Sequence, residues 1–338
     1  MREQFKLIGL ILCLAMKYGI QSILMPLMGT GIYTSMNFIL MNTCIQSLIV
    51  FGSIYFYLYR KNGFLLPRKK KSIVFLSGIP NGLMGIAMIY SANTSRTPVF
   101  IQAVLAGMPI LPCVFFRRKL LHKISTYNYK LITLSIITLI SSIVVSTIPI
   151  YDISKAVDDI EWIILYIISI ICMSAYSVLQ EKYISETEDE RFYNKISFLF
   201  YSNIIRFLII IALSWLEFFL GFTKHPIEAF IDSMKNFGES PKALLLFEAF
   251  TSIYIGAYII EIELNVISAN YTMLIPIIST PITIIFFSTF GSYNHGLHYP
   301  LWNICTCISL SVIGIVLWIK GETTKITYIP MYGDNSLG

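Results

Sequence analysis

The sequence predicts an all-α integral membrane protein with about ten transmembrane helices, arranged as two inverted five-helix repeats. Three features of its composition indicate a membrane protein: 56% of the residues are hydrophobic, only 13% are charged, and the mean hydropathy is +0.70. A helix needs about 20 apolar residues to cross a bilayer. Ten spans therefore occupy most of the 338 residues, which leaves no room for a separate catalytic domain.

Apolar runs of spanning length follow one another along the chain, each bounded by charges, proline or glycine. They lack the alternating polarity of barrel strands, and a helix satisfies every backbone amide within its own segment, as a bilayer requires. The predicted spans are 5–25, 34–59, 72–91, 97–116, 130–150, 162–183, 196–221, 243–261, 266–290 and 301–319.

The chain divides into two five-span halves at 1–155 and 156–320, followed by a tail at 321–338. Because five is an odd number, the second half enters the membrane in the opposite orientation, which is the inverted repeat that many transporters use to alternate access. The fourth span of each half is rich in proline, a residue that bends helices and frees backbone carbonyls. These prolines are Pro98, Pro109 and Pro112, and Pro276 and Pro281.

The distribution of Lys and Arg predicts the orientation. Eighteen lie on the side of the two termini, five lie on the opposite side, and two lie inside spans. Since cytosolic loops carry the excess of positive charge, both termini, including the tail, are expected in the cytosol. The first apolar run is expected to be a span and not a removed signal peptide, because no cleavage site follows it.

The loop at 222–242 is predicted to contain an amphipathic helix that lies on the non-cytosolic membrane surface. Pro226 suits a first-turn position and Gly238 suits a C-terminal stop. Apolar residues recur in it at helical spacing, namely Ile227, Phe230, Ile231, Met234 and Phe237.

Three charged residues fall inside predicted spans, where charge is costly and normally faces a cavity or a partner. Lys17 lies close to the middle of the first span, and either lines a solute cavity or belongs to an internal ion pair. Arg206 and Glu248 either pair with each other or face the cavity. A carboxylate near a cavity titrates with its surroundings, so Glu248 is the candidate for proton coupling.

Uncharged polar residues on the spans form a second group of candidates. Any single one is explained by hydrogen bonding between helices, but as a set they are too numerous for that role alone. Asn42 and Gln46, four residues apart, share a helix face. With Lys17 and Arg206, the predicted substrate-binding residues are Gln21, Asn42, Gln46, Asn81, Gln102, Tyr176, Gln180, Asn203 and Asn270.

Other chemistry is not predicted. The net charge of +6 follows from the topology signals, so nucleic acid is not an expected partner. No cofactor is expected, and His295 and His298 have no acidic or thiol neighbours with which to bind a metal. A membrane-embedded lipid enzyme would need an intramembrane histidine or a paired aspartate motif, and the spans contain neither.

Four short stretches resemble the drug/metabolite transporter superfamily, and within it the chloroquine-resistance-transporter-like family. Span one reads Cys13-Leu-Ala-Met-Lys17, similar to the family's cysteine and lysine four apart. Span four has Ile101-Gln102 and Met108-Pro109-Ile110, like Ile-Gln and Ile-Pro-Ile. Span six has Ser177 and Glu181, and span eight has Tyr258-Ile-Ile-Glu261, like Tyr-Ile-Ile-Asp. The malarial members' cysteines are missing from 222–242, as are the long N-terminal extensions of the plastid members.

This resemblance implies a proton-coupled vacuolar or lysosomal exporter of amino acids, small peptides or cationic drugs. Lys17 matches the family's first-span lysine, and a fixed positive charge there repels cationic solutes. Lys17→Thr is therefore expected to increase organic-cation transport relative to neutral or anionic solutes. The stretch Tyr328-Ile-Pro-Met331 has the form of a tyrosine-based sorting signal, which Tyr328→Ala would test. A nucleotide-sugar or triose-phosphate antiporter is the alternative within transporters.

Overall fold

The structure is a computed structural model in which the chain is a multi-pass membrane protein built almost entirely from helices. It describes residues 2–29, 33, 35–62, 70–92, 96–97, 102, 105, 108–121, 124–147, 160–186, 192–215, 225–289 and 300–327.

The helices follow the apolar runs of the sequence, because a helix is the structure that satisfies the backbone within each run. In the described part of the chain they are α1 (Arg2–Gly29), α2 (Met36–Asn62), α3 (Lys71–Ser91), α4 (Ile110–Leu120), α5 (Tyr129–Thr147), α6 (Ile160–Glu186), α7 (Phe192–Ser214), α8 (Pro226–Glu239), α9 (Pro241–Ile267), α10 (Ala269–Thr289) and α11 (Leu301–Gly321).

Seven of these helices are long and apolar enough to cross a membrane, counting only residues that the structure describes: α1, α2, α3, α6, α7, α9 and α11. Within the predicted span at 97–116, α4 begins at Ile110, and residues 98–101, 103–104 and 106–107, Pro98 among them, lie outside the described residues. The span at 130–150 corresponds to α5, whose apolar part, Tyr129–Ser142, is shorter than the length required for a membrane span. The span at 266–290 corresponds to α10.

A two-stranded antiparallel ladder, which the sequence did not predict, joins β1 (Ile124–Tyr127) to β2 (Glu322–Thr327). It connects the segment before α5 to the segment after α11. It also places part of the predicted tail against the turn between the fourth and fifth predicted spans. We call the membrane side on which α1 begins and α11 ends the terminal side.

Most helix packing occurs between the two halves and not within them. α5 packs on α11, α3 packs on α6 and α7, and α2 packs on α7. α1 packs on α9 and α10, and α4 packs on α6 and α10. The halves therefore interlock in one helical bundle.

Glycines on α3 let α7 approach closely, as small residues do between membrane helices. A Cβ atom on Gly82 would lie 2.7 Å from the Ile209 side chain, and one on Gly78 would lie 2.4 Å from the Ile205 side chain. Gly85, one turn further along α3, faces Arg206. This close contact brings the Arg206 guanidinium against α3.

The helix α8 lies within the loop where the sequence predicted one, with Pro226 in its first turn. It runs to Glu239, one residue beyond Gly238. Its aromatic residues pack on the protein: Phe230 and Phe237 meet the Phe38 ring edge-to-face, with ring centroids 5.6 and 5.8 Å apart. Three apolar side chains of the same helix are exposed instead, namely Ile227, Ile231 and Met234.

A single residue connects α9 to α10. Ser268 is extended (φ −171°, ψ 132°), and α10 begins at the next residue. The backbone amide of Ala269 donates to Glu181 Oε2 on α6 at 2.9 Å. A side chain from α6 thus satisfies one of the free amides at the N-terminus of α10.

Candidate functional site

A cavity of about 210 Å³ lies in the middle of the bundle. Most wall helices present residues three or four positions apart, so each contributes one face. On α9 these include Phe250, Tyr254, Tyr258 and Glu261. The remaining walls come from α1, α2, α3, α6 and α10, from Arg206 on α7, and from Gln102 and Pro109, which precede α4.

The cavity extends away from the terminal side. On α3 its lining runs from Met84 toward the helix end at Ala92, and on α10 it runs from Pro276 to Thr283. Toward the terminal side the lining includes Tyr176 and Tyr258, which belong to a buried apolar cluster, and on α9 it reaches Glu261. The other aromatic residues of that cluster are Phe51, Tyr55, Tyr183 and Phe198.

Lys17 combines the two roles that its sequence position left open, because it lines the cavity and also belongs to an ion pair. Its Nζ lies 3.3 Å from Glu261 Oε1 and 3.7 Å from the centroid of the Tyr18 ring. The Tyr18 hydroxyl donates to the same carboxylate oxygen at 2.6 Å. Lys17 is 8% exposed, and a buried ammonium is tolerated when a counterion and a ring face replace water.

Arg206 is the second cation in the cavity wall, and it is 1% exposed. Its Nη1 donates to Asn203 Oδ1 at 3.3 Å and to the Tyr258 hydroxyl at 3.1 Å. The guanidinium carbon lies 5.1 Å from the centroid of the Tyr254 ring. Its partners are thus neutral oxygens and aromatic rings.

The proposed Arg206–Glu248 pair is not formed. Glu248 Oε1 instead accepts a hydrogen bond from Gln46 Nε2 at 2.7 Å, and Glu248 does not line the cavity. Tyr258, the α9 residue that Arg206 contacts, lies ten residues along the helix from Glu248. That separation corresponds to about 15 Å along the axis.

Of the uncharged residues predicted from the sequence, Gln21, Gln102 and Tyr176 line the cavity. Gln102 Nε2 also donates to the carbonyls of Ala92 and Thr97 at 2.9 and 2.7 Å. It therefore ties the segment before α4 to the end of α3, at the cavity wall.

Asn81 and Asn203 lie one layer behind the lining and position it. The Tyr258 hydroxyl donates to Asn81 Oδ1 at 2.8 Å. Because this uses the only hydroxyl proton of Tyr258, the 2.7 Å bond between Tyr254 and Tyr258 must be donated by Tyr254. Asn203 donates to the Leu199 carbonyl and accepts from Arg206.

Four predicted residues lie away from the cavity lining. Gln180 accepts from Asn265 Nδ2, whose Oδ1 accepts from Thr272, in a buried chain on the terminal side. Asn270 Oδ1 accepts from the Cys113 thiol at 3.4 Å. Gln46 bonds Glu248, and Asn42 is partly exposed outside the lining.

Comparison of the chain with models of known protein families and with curated protein sequences gave no match.

Two further ion pairs with a buried cation lie on the terminal side of the described part of the chain, and the sequence pattern predicted neither. Arg117 Nε and Nη2 donate to the two oxygens of Glu181 at 2.9 and 3.0 Å. Lys195 Nζ donates to Glu263 Oε1 at 2.7 Å. Arg117 and Lys195 were counted as charges of connecting turns, yet each is only 7% exposed.

Three cavity residues carry chemistry that sequence reasoning did not assign: Tyr18, Tyr254 and Glu261. A signal was present, because Tyr254, Tyr258 and Glu261 recur at helical spacing and so share one face of α9. His295 and His298, and the stretch from Tyr328 to Met331, lie outside the described residues.

Proposed function

We propose that this chain is a secondary active transporter of the drug/metabolite type. The observation that carries the proposal is a mainly apolar cavity in the middle of a membrane bundle, with charged and tyrosine side chains in its wall and a buried apolar cluster on its terminal side. Charged groups at membrane depth are costly and are retained where they face a solute path. Lys17, Glu261 and Arg206 all line this cavity.

The packing supports an inverted repeat of five plus five spans, in which α8 is an insertion between the second and third spans of the second half. In such a repeat α1 corresponds to α6, α2 to α7, α3 to α9, α4 to α10 and α5 to α11. Exchanging corresponding helices turns the α3–α6 contact into an α9–α1 contact, and the α1–α10 contact into an α6–α4 contact. It converts α2–α7, α4–α10 and α5–α11 into themselves. All of these contacts are present, as expected for two halves related by a pseudo-twofold axis in the membrane plane.

The resemblance to the chloroquine-resistance-transporter-like family gains support from where its four stretches lie. Each contributes at least one residue to the cavity lining, although the stretches are far apart in the sequence. These residues are Lys17 from span one, Gln102 and Pro109 from span four, Ser177 from span six, and Tyr258 and Glu261 from span eight.

The substrates proposed are amino acids, small peptides or organic cations, moved with proton coupling from a vacuolar or lysosomal lumen to the cytosol. With both termini in the cytosol, the cavity extends toward the lumen and the buried apolar cluster lies on its cytosolic side. Proton coupling needs a carboxylate whose solvation changes during the cycle. Glu248 is the candidate from the sequence, and Glu261 is a second one because it lines the cavity.

Uptake into proteoliposomes tests this function. The purified chain is reconstituted and offered amino acids, dipeptides, glutathione and organic cations, with and without an imposed pH gradient. We expect saturable uptake of at least one class that exceeds uptake into protein-free liposomes and responds to the gradient. Uptake equal to that of protein-free liposomes for every class would reject the proposal.

A nucleotide-sugar or triose-phosphate antiporter is the second candidate, and Arg206 is the observation that favours it. A cavity guanidinium is the side chain expected for phosphate recognition. Counterflow of a nucleotide sugar against nucleotide monophosphate in the same liposomes separates the two candidates, because only the antiporter requires the exchanged anion.

A further inference from the structure

Arg206 differs from the other buried cations of the described chain in the partners that it has. Lys17, Arg117 and Lys195 each contact a carboxylate. For Arg206 no carboxylate lies within ion-pair distance among the described residues. A guanidinium stays charged in proteins, so Arg206 places an uncompensated positive charge at the cavity wall.

The guanidinium is held from one side only. Both of its hydrogen bonds leave from Nη1, toward Asn203 and Tyr258. Nε is fully buried and has no hydrogen-bond partner within the part of the chain that the structure describes. The edge formed by Nε and Nη2 is the one through which arginine binds a carboxylate with two parallel bonds.

Gly85 on α3 packs beside this edge. A Cβ atom on Gly85 would lie 3.1 Å from Leu40 Cδ1, 3.5 Å from Nη2 and 3.7 Å from Nε of Arg206. Gly85 also lines the cavity, so the edge borders the cavity where a side chain is missing. Tyr254 and Tyr258 hold the guanidinium plane from the α9 side.

The geometry points to the Nε–Nη2 edge of Arg206 as the binding site for the carboxylate of the transported solute. This inference deepens the proposed function and rests on it. It selects among the proposed substrates, because amino acids and peptides carry a carboxylate and simple organic cations do not. Glu261 lies three residues after Tyr258, about one helical turn away, and is already paired with Lys17, so the inference concerns only the carboxylate end of the solute.

Thermal unfolding of the purified full chain in detergent tests the inference without any transport step, because a ligand that binds the folded state raises Tm. The probes are L-leucine and L-leucinamide, which differ in the carboxylate. We expect leucine to raise Tm of the wild type at lower concentration than leucinamide does. In Arg206→Gln the apparent affinity for leucine falls by about tenfold or more, and the two probes become equivalent.

Two milder variants keep the test valid if Arg206→Gln does not fold. Gly85→Ala leaves the charge of Arg206 in place and adds a methyl group beside the Nε–Nη2 edge. It should therefore lower the apparent affinity for leucine more than that for leucinamide. Gly256→Ala on α9 is the matched control, because a Cβ atom there meets nothing within 4 Å, and it should retain the preference of the wild type. Arg206→Lys keeps a positive charge but cannot form two parallel bonds to a carboxylate, so its preference for leucine over leucinamide should lie between those of the wild type and Arg206→Gln.

A wild type without preference for leucine over leucinamide would overturn the inference. So would an unchanged preference in Arg206→Gln, or in Gly85→Ala where Arg206→Gln cannot be purified. The transporter proposal can fail on its own. In that case the proteoliposomes accumulate no solute, while leucine still raises Tm of the purified chain in detergent at lower concentration than leucinamide does.

Discussion

Two buried ion pairs of this protein, Lys17–Glu261 and Arg117–Glu181, illustrate different uses of charge within a membrane. The cavity pair has one nitrogen–oxygen contact of 3.3 Å, and its carboxylate oxygen is shared with Tyr18. The terminal-side pair has two bonds of 2.9 and 3.0 Å, and Glu181 also accepts the amide of Ala269. Arg117 and Glu181 do not line the cavity.

The difference lies in how completely the charges are satisfied. A two-bond arginine–carboxylate pair with an additional amide leaves little capacity for another partner. A single lysine contact beside open space can exchange its partner for a solute or water. The comparison therefore predicts that removing Glu181 mainly affects stability and removing Lys17 mainly affects selectivity.

The largest expected effect is on stability. Glu181→Gln neutralises the carboxylate that Arg117 contacts through two hydrogen bonds, and breaking a buried ion pair of this kind costs about 3–5 kcal/mol. Tm in detergent should fall strongly. Lys182→Ala is the control on the same helix, since its contact with Glu186 is 3.9 Å long and partly exposed. Equal melting temperatures for both variants would contradict the structural role of Glu181.

The next effect concerns Lys17→Thr. The substitution leaves Glu261 without its cation, so the cavity gains negative charge, and uptake of organic cations should rise by about tenfold relative to neutral solutes. Proteoliposome uptake of a tetraalkylammonium ion and a neutral amide measures the ratio. An unchanged ratio would show that this charge does not face the solute.

A double variant sharpens the second prediction. Glu261→Gln in the Lys17→Thr background removes the uncompensated carboxylate, and the cation-to-neutral ratio should return close to that of the wild type. The interaction energy from the full cycle of variants should lie within about 0.5–3 kcal/mol. Additive effects of the two changes would mean that Lys17 and Glu261 act on the cation-to-neutral ratio independently of each other.

The smallest expected effect separates the two candidate carboxylates for proton coupling. Glu261→Gln should reduce the response of uptake to an imposed pH gradient more than Glu248→Gln does, because only Glu261 lines the cavity. Gln at position 248 can still accept the bond from Gln46. Initial uptake rates at several external pH values measure both variants, and the reverse order would assign the coupling to Glu248.

The membrane class and the approximate positions of the long apolar helices could be predicted because apolar length is a local signal. Intramembrane charge is also local, and it singled out Lys17 and Arg206 as residues with either a cavity or a partner beside them. Their partners could not be predicted. Lys17 meets a residue 244 positions away, and hydropathy does not specify which helix faces meet. Of the two alternatives that the sequence left open for Arg206, pairing with Glu248 is not formed, because depth in the membrane places Tyr258 and not Glu248 opposite Arg206.

The buried terminal-side charges show a second limit. Arg117 and Lys195 count correctly as residues of the terminal side, but a charge count does not distinguish a solvated turn from the last buried turn of a helix. Their carboxylate partners are on α6 and α9, whose relation to α4 and α7 depends on packing between the halves.

The one-residue connection at Ser268 constrains how the cavity can change shape. α9 carries Tyr258 and Glu261, α10 carries Pro276, and Glu181 anchors their junction to α6. The two walls cannot separate at that end, so any opening there must tilt both helices together about the anchored corner. For a rotation about this junction, the far ends of both helices move further than the residues next to Ser268, because displacement grows with distance from the axis of rotation.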